Sequence, residues 1–220
     1  MSTHTLTTII PMSADDFYAI TETHEFDQFC IPYLGLNSHE LKEENEDESN
    51  IYRRVCIKPK TSVPKFLLKF ANNQSEVSYE DTQVKSKIKR EISFKTNPPL
   101  LPENINVEGV INIEPLDDNS CLKVHKVTFK FTGALQWFSS MIENNILSEL
   151  KKTMELLPKI IADYKKYLIE KGIPIKTFTY QKGVSILSVA PQPAQIEAVA
   201  IESVISAQPN GQQQQQAVVE

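Results

Sequence analysis

Apolar and polar side chains alternate along much of the chain between residues 36 and 132, and this period of two predicts β-strands. The first two runs predict a hairpin around an acidic tip at Glu46, Asp47 and Glu48. The predicted strands lie at 38–44, 50–57, 76–85, 87–96, 107–113 and 121–132. In the last of them the apolar positions change parity between Val124 and Val127, which predicts a β-bulge near His125.

After Gly133 the period lengthens to that of a helix. Apolar residues recur at every third or fourth position from Leu135 to Leu168, which predicts one long helix over 134–171. Pro158 lies inside this helix, and its missing N–H predicts a kink nearby.

The elements before the sheet are shorter. A strand is predicted over 6–10, followed by one helix capped by Ser13 and a second helix over 26–33. The complete order predicts the α+β class, with a curved antiparallel sheet wrapped around a long C-terminal α-helix and two short helices after the first strand.

Composition changes near residue 180. Residues 181–220 contain no aromatic side chain and include the glutamine run 212–216, so they offer little apolar surface to offset the entropy of ordering. We therefore predict a folded domain over 1–180 and a low-complexity, Gln-rich tail over 181–220 that is mostly disordered. A short strand formed by the apolar residues of 184–189 is the alternative for the start of the tail.

Charge and composition exclude several classes of function. The net charge is −5, which argues against a nucleic-acid partner, and no apolar run has the length of a membrane span. The N-terminus lacks the pattern of a signal peptide, and three scattered cysteines make no disulfide framework, so we expect a cytoplasmic protein. Neither metal-ligand spacing nor a phosphate-binding glycine loop occurs, so we expect no metal, no cofactor, no catalytic residue and no enzyme.

Several segments resemble the START-like, or helix-grip (SRPBCC), superfamily over residues 4–170. They are the entry stretch Thr5–Phe17, the segment Val63-Pro64-Lys65-Phe66, the two late strands with a polar turn, and the junction from Gly133 into the helix. The nearest resemblance is to an uncharacterised bacterial START-like family. It implies a deep apolar cavity between sheet and helix. Members of the superfamily bind sterols, phospholipids, fatty acids, quinones or plant hormones; some are cyclases, and some act on chaperones.

The resemblance indicates which residues would contact a ligand. On the sheet these are Phe94, Ile111, Phe129 and Phe131, and on the first turns of the helix they are Phe138, Met141, Ile142 and Asn145. On the helix a packed core is the default explanation of these positions, and core and pocket do not exclude each other.

Two apolar connections stand out because loops are usually polar. We consider the following residues for a lid or a membrane contact: Phe66, Leu67, Phe70, Leu100 and Leu101. A short element that caps the core is the alternative. The basic run Lys85, Lys87 and Lys89 predicts an outer basic face of the sheet, or a contact with anionic headgroups.

Three hypotheses of function follow. The first is binding of a hydrophobic small molecule in an internal cavity, expected to be a lipid (sterol, phospholipid or fatty acid), for transfer or sensing, with transient membrane contact. The second is a protein-interaction module without a ligand, and the third is a cyclase or dehydratase, for which His125 is the only candidate residue. The sequence leaves the oligomeric state open.

Overall fold

The computed structural model describes residues 1–60, 78–98, 103–181 and 184–189. The helices among them are α1 (Ala14–Ile20), α2 (His24–Cys30) and α3 (Ser139–Lys171), and a 3₁₀ turn at Gly133–Phe138 leads into α3. The strands are β1 (Ser2–Ile10), β2 (Leu36–Glu46), β3 (Asn50–Pro59), β4 (Tyr79–Ser86), β5 (Glu91–Asn97), β6 (Ile105–Asp117), β7 (Ser120–Phe131), β8 (Lys176–Gln181) and β9 (Val184–Val189).

The first seven strands form one antiparallel sheet in the order β1-β7-β6-β5-β4-β3-β2. One face of this sheet, the inner face, packs against the helices. The predicted α+β class, with a curved antiparallel sheet and a long C-terminal helix, is confirmed. β8 and β9 form a separate antiparallel pair, so the strand considered for 184–189 is present. Residues 191–220 lie outside the described residues.

Local signals at the helix ends act as expected. The Asp16 backbone N–H donates to the Ser13 hydroxyl oxygen at 3.2 Å, which satisfies one of the free N–H groups of α1. At the other end of the fold, Gly172 ends α3 in the left-handed conformation with φ of 63°.

Apolar side chains on the inner face form three separate clusters. The largest joins α1, α2 and the C-terminal half of α3 to Ile92, Ile111 and Ile113. The second joins Phe129, Phe131 and neighbouring strand residues to the start of α3, and the third lies under β2 and β3. Phe94 packs against both the first and the second cluster. The core is therefore divided, and polar side chains occupy the inner face between its parts.

The β-bulge predicted near His125 is wrong. β7 pairs with β1 and β6 without a register shift over 121–131, and its buried positions alternate without interruption. The apparent change of parity arose because Lys123 and His125 occupy inward positions, where the sequence pattern assumed apolar residues.

The outer basic face predicted for β4 is also wrong in part. Lys85 is buried on the inner face, and Lys87 and Lys89 lie in the turn between β4 and β5 rather than on a strand. Ile88 lies in the same turn and is exposed, because the turn carries it away from the sheet.

Gly109→Ala is expected to destabilise the fold by about 1–3 kcal/mol, because a β-carbon there would lie 2.7 Å from the Phe94 ring and even closer to the Lys126 carbonyl oxygen. β7 is paired with β1 on its other side, which holds its backbone in place. Chemical denaturation followed by circular dichroism measures this effect. Glu108→Ala, at the exposed neighbouring position, is the control, and equal stabilities of the two variants would contradict the prediction.

Candidate functional site

Two basic side chains of β7 lie in the interior. Lys123 and His125 are both buried, at 8% exposure each, and face the helices from the inner face. Lys123 is paired with Ile113 in the sheet, and His125 with Ile111. The His125 ring meets the Phe94 ring edge-on, with centroids 5.0 Å apart. A strand buried on one face normally fills these positions with apolar residues, so the two side chains are the first candidates for a site.

The unsatisfied atom of the pair is His125 Nε2, which is buried without a hydrogen-bond partner. Lys123 places an ammonium two residues away on the same face of β7. Burial and, to a smaller extent, the charge of Lys123 lower the pKa of His125 to about 3. Burial also lowers the pKa of Lys123, although Glu22, Cys30 and Asp27 oppose this effect. The imidazole is therefore neutral at pH 7.

Lys85, by contrast, has a structural partner. Its ammonium donates to the Thr21 carbonyl at 2.6 Å and to the Ala19 carbonyl at 3.4 Å, at the C-terminal end of α1, and lies 5.0 Å from the centre of the Tyr18 ring. Burial lowers the pKa of Lys85 to about 7. These contacts fix α1 on the sheet, so Lys85 is satisfied within the fold. His39 Nδ1 on β2 is buried without a hydrogen-bond partner, as is His125 Nε2.

Arg53 organises a second polar group beside β3. Its side chain is 1% exposed and donates to Asp27 at 2.7 Å, Gln83 at 3.1 Å and Glu44 at 3.1 Å, while a Glu22 oxygen lies 3.8 Å away. Burial raises the pKa of Asp27 to about 7, Glu22 adds to the increase, and Arg53 opposes it. This network, the Arg53 cluster, joins α2 to three strands and is satisfied within itself.

Asp81 is the third polar feature of the inner face. The Thr96 hydroxyl donates to its carboxyl group, but Oδ1 is buried without a partner. Burial raises the pKa of Asp81 to about 6. Its sheet neighbours are Val55 on one side and Thr96 on the other, so the carboxyl lies between the second and third apolar clusters.

The structure brings most of the apolar residues suggested for ligand contact together. Ile111 lies in the first cluster, Phe129, Phe131 and Ile142 lie in the second, and Phe94 touches both. On α3, the neighbouring residues Ile146, Leu147 and Leu150 pack against the second cluster but stay only partly buried.

Phe138, Met141 and Asn145 are exposed, so the expectation that their side chains lie in the interior is wrong. The chain enters α3 through a 3₁₀ turn, and three residues per turn rotate the apolar stripe away from the face that an uninterrupted α-helix would present. The Asn145 amide donates to the Met141 carbonyl at 2.8 Å within the helix. The assignment of these eight residues as ligand contacts stays a prediction.

The residues considered for a lid or membrane contact (Phe66, Leu67, Phe70, Leu100 and Leu101) lie outside the described residues. None of the described helices is long and apolar enough to cross a bilayer. The described residues also contain no group of three His, Cys, Asp or Glu side chains arranged to hold a metal ion.

A groove of about 430 Å³ lies on the outer face of the sheet, opposite the helices. It is lined by strand residues around Gly109, among them Val84, Lys95 and Lys126. Because it lies on the wrong face, this groove is not the cavity between sheet and helix that the resemblance implies.

The sheet order, the two short helices after β1 and the long helix across the inner face define the helix-grip fold, as the sequence predicted. No protein-family model matches the chain, and no curated protein matches it significantly. Solved structures with the same fold include TTHA0849 from Thermus thermophilus, with a TM-score of 0.55 and 12% identity over 74% of this chain and 99% of that one.

Two enzymes share the fold. The Zhui aromatase/cyclase from Streptomyces sp. R1128 matches with a TM-score of 0.54 and 11% identity, over 76% of this chain and 95% of that one. Norcoclaurine synthase from Thalictrum flavum, a point mutant in complex with a transition-state analogue, matches with a TM-score of 0.52 and 12% identity, over 74% and 96%. The expectation that the chain is not an enzyme is therefore contradicted, because other proteins with this fold are enzymes.

Proposed function

We propose that this protein binds an elongated hydrophobic molecule of the lipid class between the sheet and α3, for transfer or sensing. The observation that carries the proposal is His125 Nε2, a buried atom without a hydrogen-bond partner, with the buried Lys123 side chain two residues away on the same face. Buried polar groups are nearly always hydrogen-bonded, so an unpartnered imidazole nitrogen beside a cation favours a missing partner with acceptor atoms. A carboxylate supplies them.

Apolar surface for the rest of the ligand lies next to this pair. Phe94 adjoins His125, and Ile146, Leu147 and Leu150 of α3 remain partly uncovered at the second cluster. Transfer of apolar surface from water contributes about 25 cal/mol per Å², so a few hundred Å² of ligand surface supply several kcal/mol of binding free energy. The hydrophobic part provides affinity, and the polar pair fixes the orientation.

The charge of Lys123 suits an acid more than a neutral lipid. Folding has already removed the ammonium from water, so an arriving carboxylate gains its attraction without a second desolvation of that group. Binding would return the pKa of Lys123 toward its ordinary value.

Hexadecanoic acid is the probe for this proposal. We expect saturable binding to the wild-type chain by isothermal titration calorimetry, and a Lys123→Met variant is expected to bind at least tenfold more weakly because it leaves the carboxylate buried and unpaired. Lys130→Met, at an exposed position of the same strand, is the matched control. Absence of saturable uptake, together with a ligand-free native mass spectrum of purified protein, would contradict the proposal, as would equal binding by the two variants.

Acid–base catalysis on a bound small molecule is the second candidate function. The observation that favours it is the unpartnered His125 Nε2 beside an aromatic wall, with Asp81 as a further unpaired group on the same face. A pKa of about 6 makes Asp81 the better proton carrier near neutral pH, and His125 with its pKa near 3 is the weaker base. Unchanged turnover in a His125→Ala variant would remove His125 from this role.

A further inference from the structure

Asp81 on β4 holds a further unpaired atom of the inner face, far from His125 and distinct from His39 Nδ1, which also lacks a partner. Asp81 Oδ1 is buried and has no hydrogen-bond partner, although Thr96 donates to the same carboxyl group. A buried acceptor without a partner costs about 1–3 kcal/mol, so its retention between two apolar clusters indicates a donor that arrives from outside the chain.

The strand register gives the separation of the two unpaired groups. From Asp81 the paired positions run across the sheet through Thr96 and Val107 to Phe129, which lies four residues from His125 on β7. Three strand spacings of about 4.8 Å and four residues at about 3.3 Å put the two positions about 15–20 Å apart on a curved sheet.

The surface between these groups is apolar. The Phe94 ring stands beside His125, and Val107 and Phe129 of the second cluster lie in the row of paired positions that starts at Asp81. A molecule that reaches from one group to the other would therefore be apolar along its length and polar at both ends.

We infer that the ligand has two polar ends: an acidic or carbonyl group at Lys123 and His125, and a hydrogen-bond donor such as a hydroxyl at Asp81, joined by an extended apolar chain. This inference rests on the proposed function and specifies its ligand class. A long-chain acid with a hydroxyl at the far end satisfies both groups, whereas a simple fatty acid leaves Asp81 Oδ1 unpaired.

Omega-hydroxyhexadecanoic acid and hexadecanoic acid are the paired probes, because they differ only at the distal end. We expect the wild-type chain to bind the hydroxy acid about tenfold more tightly by calorimetry, the discrimination that one recovered hydrogen bond in a buried site provides. In an Asp81→Leu variant the ratio of the two dissociation constants is expected to fall to about one, since the acceptor is gone.

Glu80→Gln is the matched control, because Glu80 neighbours Asp81 on β4 but has an exposed side chain near Arg54. It is expected to keep the tenfold preference. Asp81→Leu replaces a carboxyl group that has one unpaired oxygen by an apolar side chain of similar size, and circular dichroism checks that it folds. The wild-type ratio tests the inference even if this variant does not fold.

The outcomes distinguish the two-ended ligand from the proposed function. Equal affinities of the wild-type chain for the two acids would overturn the two-ended ligand and leave the proposed function standing. An Asp81→Leu variant that retained the preference would do the same. Failure of both acids to bind would overturn the proposed function and this inference together.

Discussion

Arg53→Met is expected to lower the free energy of unfolding by about 3–5 kcal/mol, the usual effect of removing one partner from a buried ion pair. Arg53 is fully buried, and its guanidinium is the cation that Asp27 and Glu44 share. Methionine keeps much of the apolar volume of the side chain, so the loss comes from carboxylates left without a counter-charge rather than from a cavity. Urea denaturation at pH 7 measures the difference.

The adjacent residue supplies the control for that measurement. Arg54 points to the outer face, where it lies 3.3 Å from Glu43 with both side chains about half exposed. Exposed ion pairs contribute about 0–1 kcal/mol, so Arg54→Met is expected to change stability little. Two variants of equal stability would refute a structural role for the Arg53 cluster. An Asp27→Leu change added to Arg53→Met is expected to restore part of the lost stability, because it removes the stranded charge.

The elements of the fold were predictable because each follows from local periodicity. Alternation in the strands, the cap at Ser13 and the stop at Gly172 are statements about near neighbours in sequence, and the structure has all of them. The interior polar groups follow no such rule. Arg53 finds its partners 26, 9 and 30 residues away on three different elements, so no spacing in the sequence announces the cluster.

The errors have a common origin. Lys85 and His125 were assigned by their polarity to an outer face and to a bulge, whereas unbroken strand register places both of them, together with Lys123, inside. A useful signal was present: in β7 the inward parity set by Cys121, Val127 and Phe129 continues through both polar residues. A polar residue at an inward position is a stronger indication of a site than of an irregular strand. The start of α3 was misjudged for a different reason, because a 3₁₀ turn changes the rotation per residue without a clear sequence signal.

Acid is expected to destabilise this protein through His125 more than through any exposed histidine. The folded-state pKa of about 3 lies below the ordinary value of 6.5, so the unfolded chain binds a proton in this range that the folded chain resists. The contribution of His125 to stability is therefore complete above pH 6.5 and is lost as the pH falls toward 3. At 1.36 kcal/mol per pKa unit, the whole effect is about 4–5 kcal/mol.

Other buried groups act against this trend and have to be separated from it. Asp27 and Asp81 have raised pKa values, so the folded state takes up their protons more readily than the unfolded state, and acid favours folding through them. In the unfolded chain Lys123 stays protonated over this pH range. In the folded chain its charge disfavours an imidazolium at His125, two residues away on the same strand. The difference in unfolding free energy between wild-type protein and a His125→Leu variant isolates the imidazole, because the carboxyl contributions are common to both.

The difference in unfolding free energy between wild-type protein and the His125→Leu variant is expected to shift by several kcal/mol between pH 7 and pH 4, because the wild-type protein loses stability faster than the variant. His24→Gln serves as the matched control: His24 is exposed on α2, so its variant is expected to follow the wild-type pH curve. Parallel curves for wild-type protein and His125→Leu would mean that the imidazole reaches solvent or a partner in solution. A buried, unpaired His125 is the premise of the polar end of the proposed ligand site, so the same titration tests that site without any ligand present.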